Sequence, residues 1–380
     1  MNVLEIEKKC TGCSACVDSC YFGALKLESD ENGFYSPSLN SDKCVDCGKC
    51  VKACPLVNFE AVSGEKECYY GWSVDNSIRE TSSSGGVFSV FAEEILSHNG
   101  VVFGAEYAED YKSVKINSTL NTTLESLKTS KYVQSNSDGA YRSMMQELKK
   151  GRNVLFTGAP CQVAGAKNVL DECSENLLLV DFLCGGFPSP LCFSQYAEWL
   201  ESKYSSEIVE INFRDKKKGW SNSGIRVKFK NKKEYFSTPT YDPYYYYYCT
   251  PYIKNESCMD CKFKTQRAAD ITIADFWGFR NLKIPNDEKG MSLIIAHTEK
   301  GKAFLNSIRE KLVLYPLEYK DASYGFEAKN RTEKELKERE SFLSCVRKDG
   351  FIAVAKKNYY KNGKIGITFR KIKKRLKNIF

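Results

Sequence analysis

Eight of the 17 cysteines fall within the first 54 residues, and they form two copies of one spacing. Each copy reads C-x2-C-x2-C-x3-C: one runs from Cys10 to Cys20, and the other runs from Cys44 to Cys54 and is followed by Pro55. Thiolates at this spacing wrap around a cubane iron–sulfur cluster. The pattern therefore predicts a small α+β ferredoxin-like domain with two [4Fe-4S] clusters.

The predicted ligand sets cross between the two runs, because the fourth cysteine of each run ligates the other cluster in two-cluster ferredoxins. Cluster one takes Cys10, Cys13, Cys16 and Cys54, and cluster two takes Cys44, Cys47, Cys50 and Cys20. Tyr21 stands where proline follows the second run, which changes a turn but removes no ligand. Zinc is the alternative, but zinc motifs normally leave a long gap between two cysteine pairs. A disulfide framework is a weaker alternative. Closely spaced cysteines without an apolar leader predict a reducing, cytoplasmic location.

The length of 380 residues predicts further domains with a sizeable core. We expect a ferredoxin domain at 1–62, a main domain at 63–349 and a basic tail at 350–380. No apolar stretch is long enough to cross a bilayer. The tail holds ten Lys and Arg residues and no acid, so the net charge of +8 becomes −2 for the remainder. A nearly neutral body disfavours a nucleic-acid partner.

Beyond residue 60 the pattern predicts alternating strands and helices. Strands are expected at 69–74 and 101–105, and a helix is expected at 138–150. Another helix follows the loop Ser82–Gly86, with Val87, Phe91 and Ile95 recurring every four residues. This order predicts an α/β main domain with a mixed or parallel sheet.

Two strands lead directly into cysteine-containing loops. The strand at 153–157 runs into Gly158 to Gln162, which includes Cys161, and the strand at 177–183 runs into Cys184. If these strands are parallel, both cysteines lie at the carboxyl edge of the sheet, where open α/β folds bind ligands. Cys258 and Cys261 could complete a four-thiolate site for a third [4Fe-4S] cluster. The alternative is that Cys161 and Cys184 are small buried apolar residues, and the pattern alone leaves both open.

Six segments resemble the family of coenzyme F420 hydrogenase/dehydrogenase beta subunits. They are TSSSGGVFS at Thr81–Ser89, KYVQS at Lys131–Ser135, GAPCQ at Gly158–Gln162, FLCGG at Phe182–Gly186, CMDCKFKTQRAADITIADFWG at Cys258–Gly278 and KGMSLIIAHTEKG at Lys289–Gly301. The resemblance covers about residues 1 to 301. It implies that the main domain binds FAD and passes electrons between FAD and iron–sulfur clusters, with coenzyme F420 or ferredoxin as the redox carrier.

The resemblance also implies which residues contact the flavin. They are Ser83, Ser84, Gly85, Gly86, Lys131, Gln134, Ser135, Thr157 and Gly158. Physical chemistry agrees for the first four, because a small polar loop at a helix N-terminus suits a pyrophosphate. A plain helix N-cap is the simpler interpretation of such a loop.

Other residues receive weaker assignments, and no catalytic residue is assigned. His98 and His297 lie in no nucleophile or metal pattern, which disfavours a histidine-based hydrolase. We expect Asp270 and Asp275 to cap turns and to orient Arg267 or the Cys258 loop. From Lys364 onward the tail has the pattern of a basic amphipathic helix, suited to an anionic membrane surface or an acidic partner, or else packed on its own domain.

Two functions follow from these patterns. The first is an FAD- and [4Fe-4S]-dependent oxidoreductase that moves electrons between a reduced carrier and a substrate or partner enzyme. The second is a non-catalytic ferredoxin-type subunit whose large domain only docks onto a separate enzyme. A flavin site in the main domain distinguishes the first from the second.

Overall fold

A computed structural model describes residues 2–6, 9–173, 175–323 and 332–357. Its strands are β1 Leu25–Ser29, β2 Tyr35–Leu39, β3 Glu67–Ser73, β4 Val101–Tyr107, β5 Val114–Ser118, β6 Ser135–Asn136, β7 Val154–Gly158, β8 Leu177–Phe182, β9 Ile208–Asp215, β10 Gly224–Phe229, β11 Glu234–Ser237, β12 Ile271–Asp275, β13 Ser292–Ala296 and β14 Leu312–Pro316. Its helices are α1 Ala15–Asp18, α2 Lys49–Ala53, α3 Asn76–Thr81, α4 Val87–Ser97, α5 Leu124–Leu127, α6 Ala140–Lys149, α7 Pro160–Leu170, α8 Pro190–Tyr204, α9 Pro243–Tyr248, α10 Glu299–Ser307, α11 Tyr319–Ala322 and α12 Glu333–Asp349.

The described residues form a large mixed sheet in the order β14-β3-β13-β12-β8-β7-β4-β5-β6. Its centre is parallel: β12 pairs with β8, β8 with β7 and β7 with β4, all in the same direction. The remaining pairs are antiparallel, except for β5 with the short β6. The prediction of an α/β domain with a mixed sheet is confirmed, and so is the parallel pairing of the strands before Cys161 and Cys184.

Apolar runs explain why β7 and β8 occupy the centre. Residues 154–156 and 177–180 are buried without interruption, as expected of strands covered on both faces. Helix α4 buries Val87, Phe91 and Ile95 against one face, as the four-residue spacing predicts. Helices α6 and α7 bury their apolar sides against the other face. The two layers hold the carboxyl ends of β7 and β8 in fixed positions.

A second, three-stranded antiparallel sheet has the order β11-β10-β9. It shares an apolar core with α8, α9 and α12, and this core includes three of the consecutive tyrosines of α9. Phe351, Val354 and Ala355 are buried in the same core. The predicted tail at 350–380 therefore begins inside this core, whereas its amphipathic pattern from Lys364 lies outside the described residues. No described helix is long and apolar enough to span a membrane.

The cysteine-rich segment at 9–62 packs onto α6 and α7 through polar and apolar contacts. The buried Asp18 carboxylate accepts hydrogen bonds from the backbone N–H groups of Gly139 and Tyr141, both at 2.8 Å, and so caps α6. The Tyr141 hydroxyl donates to the Cys13 carbonyl oxygen at 2.7 Å. Gly165 of α7 approaches α1 so closely that a Cβ there would lie 3.0 Å from the Ala15 Cβ. One domain therefore supplies the helix cap of the other.

We expect Asp18→Ala to lower the free energy of unfolding by about 2 kcal/mol, because it removes a cap and leaves buried N–H groups without an acceptor. Urea denaturation of anaerobically prepared protein, followed by circular dichroism, measures the change. The exposed Asp42 provides the control as Asp42→Ala, which should unfold like the wild type. Equal stability of Asp18→Ala and the control would show that the cap does not hold the two domains together.

Candidate functional site

The structure brings the residues predicted for cluster one into a single group, here called the first thiol group. Burial and the adjacent Cys10 and Cys54 thiols raise the pKa of the Cys13 thiol to about 12, against the lowering effect of the Ala15 N–H. Burial and the thiols of Cys13, Cys10 and Cys54 also raise the pKa of Cys16. The group is therefore compact and largely buried. These thiols therefore ionise only when a bound cation compensates the negative charge of the thiolates.

The residues predicted for cluster two also lie together, as the second thiol group. Cys20, Cys44, Cys47 and Cys50 line one small hollow beside β1 and α2. The Ala24 N–H donates to the Cys20 sulfur at 3.3 Å, which is the kind of contact that tunes a cluster ligand. Cys47 is exposed, so this group is nearer to solvent than the first. Cys16 and Cys50 are close enough to interact electrostatically, which places the two groups side by side.

A third thiol group forms at the carboxyl edge of the large sheet. Cys161 lies in the first turn of α7, Cys184 follows β8, and Cys258 and Cys261 come from the loop before β12. Burial is the largest of the influences that raise the pKa of Cys161. The neighbouring thiols raise it further, and they are those of Cys261, Cys13, Cys184 and Cys258. The influence of Cys13 shows that the third group borders the first. The convergence expected from parallel strands is present in the structure.

Backbone N–H groups and cations surround the third thiol group. The N–H of Gly186 donates to the Cys184 sulfur, and the N–H of Phe187 donates to the Cys258 sulfur, both at 3.3 Å. Burial raises the pKa of Cys184, while the Gly186 N–H, Lys254, Arg267 and Lys264 lower it. These positive groups favour thiolates at this position.

The three thiol groups can be compared with the geometry of a closed zinc site. No three Cys, His, Asp or Glu side chains in the described ranges are close enough to share one metal ion. A zinc ion draws its sulfur ligands to about 2.3 Å from one centre. The thiolates around a cubane are farther apart, because the irons and sulfides lie between them. In the part of the chain that the structure describes, none of the three groups is drawn together as tightly as a closed zinc site requires.

A cavity of about 470 Å³ opens at the same sheet edge. One end is formed by the loop Ser82–Gly86 and the first turn of α4, where Gly86 has a φ of +89° and no described side chain caps the helix. The other end is formed by Cys184, Gly185 and Gly186. The cavity therefore joins a helix N-terminus, with its partial positive charge, to the third thiol group.

Seven of the nine residues expected to contact a flavin line this cavity. They are Ser83, Ser84, Gly86, Lys131, Ser135, Thr157 and Gly158. Gly85 is not among the lining residues, because it packs on the sheet: its N–H donates to the Ser292 hydroxyl at 2.9 Å. Gln134 is also not among them. Its buried amide donates to the Thr11 carbonyl at 3.1 Å and accepts from the Tyr35 N–H, so it connects the main domain to the cysteine-rich segment.

Two residues of the cavity wall, Lys131 and Thr157, carry polar groups in unusual environments. Burial lowers the pKa of the Lys131 ammonium to about 7, although the Glu106 carboxylate opposes the shift. This ammonium donates to the carbonyl oxygens of Lys128 and Thr129 at 2.6 and 3.4 Å. The buried Thr157 hydroxyl oxygen has no hydrogen-bond partner among the described residues. Thr157 lines the cavity, and its hydroxyl oxygen lies buried in the cavity wall.

Two aromatic residues near the third thiol group, Tyr132 and Tyr248, were not identified from the sequence. Their rings stack with centroids 4.1 Å apart, and both line the cavity. Trp277, also in the lining, stacks on the buried Trp220 at 4.6 Å. The sequence does contain a signal: the consecutive tyrosines at 244–248 cannot all lie on one face, so some must face solvent or a ligand. The signal does not specify Tyr248.

Of the two aspartates beside β12, Asp270 binds a backbone N–H group, whereas Asp275 binds side chains. Asp270 accepts from the Leu179 N–H at 2.9 Å and from the Thr298 hydroxyl at 2.7 Å. Asp275 lies 2.9 Å from the guanidinium of Arg214. Arg267 pairs with the fully buried Asp181, at 3.2 Å. Asp181 is a carboxylate partner of Arg267 that the sequence did not predict, and the expectation that Asp270 or Asp275 orients Arg267 or the Cys258 loop stays a prediction.

Comparison with known proteins adds two matched regions. Residues 151–321 match the family model for the C terminus of the coenzyme F420 hydrogenase/dehydrogenase beta subunit. Residues 9–57 match the model for a 4Fe-4S dicluster domain. Residues 9–57 contain the first and second thiol groups, and residues 151–321 contain the third. The two matches confirm the resemblance found in the sequence.

Three similar proteins give context. The F(420)H(2) dehydrogenase of Methanosarcina mazei has an F subunit that is 22% identical over 316 residues, which cover 80% of this chain and 83% of that relative. Polyferredoxin protein MvhB of Methanothermobacter marburgensis is 47% identical over 51 residues, 12% of each chain. A chain of the F420-reducing [NiFe] hydrogenase complex from Methanosarcina barkeri superposes with a TM-score of 0.47 and 13% identity, covering 81% of this chain and 94% of that chain.

We expect Thr157→Val to raise the free energy of unfolding of ligand-free protein by about 1 kcal/mol, because it removes a buried hydroxyl that has no described partner. Thr272→Val is the matched control: the Thr272 hydroxyl donates to Asp181, and its oxygen lies 2.7 Å from the His297 ring nitrogen. The control should lower the free energy by about 2 kcal/mol. Denaturant unfolding measures both, and a loss of stability in Thr157→Val would mean that its hydroxyl is satisfied.

Proposed function

We propose that this protein is an iron–sulfur flavoprotein oxidoreductase. It transfers electrons between a reduced carrier, coenzyme F420 or ferredoxin, and a substrate or partner enzyme. The combination of the two matched regions in one chain supports the proposal. One observation carries it: the cavity borders the third thiol group, the third borders the first, and the first borders the second.

FAD is the cofactor that we assign to the cavity. The N-terminus of α4 and the Ser83 hydroxyl would hold its pyrophosphate, whereas the Ser84 hydroxyl already donates to the Met291 carbonyl. Lys131 supplies a cation, and the Thr157 hydroxyl supplies a hydrogen bond at the end of β7. Gly158 lets the strand end lie close to the ring system. A bound flavin supplies the exchange between hydride transfer and single-electron transfer.

The thiol groups hold three [4Fe-4S] clusters in this proposal. Cluster one is ligated by Cys10, Cys13, Cys16 and Cys54, cluster two by Cys20, Cys44, Cys47 and Cys50, and cluster three by Cys161, Cys184, Cys258 and Cys261. Clusters held by these groups would supply an electron path from the cavity through the third and first thiol groups to the second. Cluster two is the contact point for a redox partner, because Cys47 is exposed.

The similar protein from Methanosarcina mazei is named as a subunit of an F(420)H(2) dehydrogenase. By analogy, this chain is an electron-transfer subunit of an F420-related hydrogenase or dehydrogenase, which implies a partner enzyme. The alternative of a non-catalytic docking subunit requires no cavity of this size beside a thiol group. The cavity therefore favours the flavoprotein.

We expect anaerobically purified protein to contain about twelve irons and one FAD per chain, which is three cubanes and one flavin. Iron, sulfide and released-flavin assays measure these contents. About eight irons and no flavin would overturn the proposal and favour the docking subunit.

We expect Cys161→Ser to remove cluster three and to lower the iron content by about a third, while clusters one and two remain. The exposed Cys345, on α12, gives the control Cys345→Ser, which should keep all of the iron. Electron paramagnetic resonance of the reduced proteins identifies the missing cluster. Unchanged iron in Cys161→Ser would contradict the assignment of cluster three.

We expect Gly165→Leu to slow electron transfer between clusters three and one, because a Cβ at this position lies 3.2 Å from the Cys13 sulfur and the side chain must push α1 away from α7. Stopped-flow reduction of the clusters measures the rate. Lys167→Leu, at a partly exposed position of the same helix, is the control. An unchanged rate with normal iron and flavin contents would mean that electrons do not pass between α1 and α7.

A further inference from the structure

The loop Ser82–Gly86 is held from outside the cavity by one lysine. The ammonium of Lys216, which follows β9, donates to the carbonyl oxygens of Arg79 and Ser84 at 2.7 Å each. It also donates to the carbonyl oxygen of Lys289 at 2.6 Å. An ammonium has three N–H donors, so every donor of Lys216 is used. One side chain thus connects α3, the loop and the segment before β13.

The segment around Gly290 is a rigid support for this loop. Arg79 donates to the Gly290 carbonyl at 2.9 and 2.8 Å and makes two 2.8 Å hydrogen bonds with the Asp287 carboxylate. Gly290 has a φ of +109°, and a Cβ there would lie 2.4 Å from the Ser84 carbonyl oxygen. The Ser84 hydroxyl donates to the Met291 carbonyl at 2.7 Å. The backbone of Ser84 is therefore fixed on two sides, and Lys216 provides the only cation bonded to its carbonyl among the described residues.

The Ser84 carbonyl oxygen is the negative end of a peptide dipole. It belongs to the loop to which we assign the binding of the FAD pyrophosphate. When Lys216 holds this oxygen, the negative end is paired with a cation and is not free to face an anion. We propose that Lys216 is a positioning residue for the pyrophosphate of FAD: it fixes the Ser82–Gly86 loop in the conformation that binds the diphosphate. This inference rests on the proposed function.

The surroundings of Lys216 give it a titration that can be measured. Burial lowers its pKa to about 8; the Arg79 and Arg214 guanidinium groups lower it as well, whereas the Asp275 and Asp287 carboxylates raise it. Below this pKa the ammonium has three donors and a charge. Above it, the neutral amine has two donors, so one carbonyl loses its partner. Binding of a diphosphate should therefore weaken as the pH rises through this pKa.

The test measures the Kd of FAD for flavin-depleted full-length protein by fluorescence quenching at pH 7. We expect Lys216→Met to raise the Kd about tenfold or more and Lys216→Arg, which keeps the charge, to raise it less. Lys217→Met changes the exposed neighbour and should bind like the wild type. Iron content should stay the same in all three variants, since the hydrogen bonds of Lys216 go to Arg79, Ser84 and Lys289.

A pH profile separates positioning from a general loss of structure. For the wild type, the Kd should rise above about pH 8, by up to tenfold per pH unit, and this rise should be absent in Lys216→Met. The break expected near pH 7 from Lys131 should remain in both proteins. If Lys216→Met does not fold, the pH dependence of the Kd of FAD for the wild type is the deciding measurement. A Kd that does not rise above about pH 8 overturns the inference.

The remaining outcomes distinguish this inference from the function on which it rests. If the wild type binds FAD, and Lys216→Met has the same Kd and the same pH profile, the role of Lys216 is overturned while the flavin site stands. If the wild type binds no FAD, the proposed function fails, and the role of Lys216 fails with it.

Discussion

The close approach of α1 to α7 at Gly165 is the contact on which the arrangement of the thiol groups depends. A Cβ at this glycine would lie 3.0 Å from the Ala15 Cβ and 3.2 Å from the Cys13 sulfur, so a larger residue would separate the helices. Cys161 lies one turn earlier on α7 and interacts electrostatically with Cys13. Because Gly165 has no side chain, the thiols of the dicluster domain can lie beside those at the edge of the large sheet. Without this contact, the first and third thiol groups would lie apart.

The contact is stabilised by hydrogen bonds from side chains to backbone rather than by apolar area alone. Asp18 caps α6, the Tyr141 hydroxyl lies within hydrogen-bonding distance of the carbonyl oxygens of Cys13 and Gln162, and Gln134 packs on Gly12. Such bonds depend on direction, so they fix the position of one domain on the other within narrow limits. A site that transfers electrons needs this precision, because its groups must remain at set separations.

The sequence predicted those parts of the site that follow from local spacing or strand direction. The crossed cysteine sets follow from the repeated run, and the meeting of Cys161 with Cys184 follows from two apolar strands that end in glycine-containing loops. Long-range polar pairing could not be predicted. Arg267 pairs with Asp181 because β12 lies parallel to β8, and Gln134 points away from the cavity because Gly12 leaves room for its amide. The sheet β9 to β11 was missed, although it supplies Lys216.

The first and third thiol groups differ in the charged groups that lie beside them. The charged neighbours that act on Cys13 and Cys16 are other thiols, which raise their pKa values. Cys184 is approached by Lys254, Arg267 and Lys264, and all three lower its pKa. Positive charge beside a cluster favours its reduced state, since reduction adds negative charge. A cluster held by the third thiol group would therefore have cations beside Cys184 that stabilise its reduced state, and Cys184 lines the cavity.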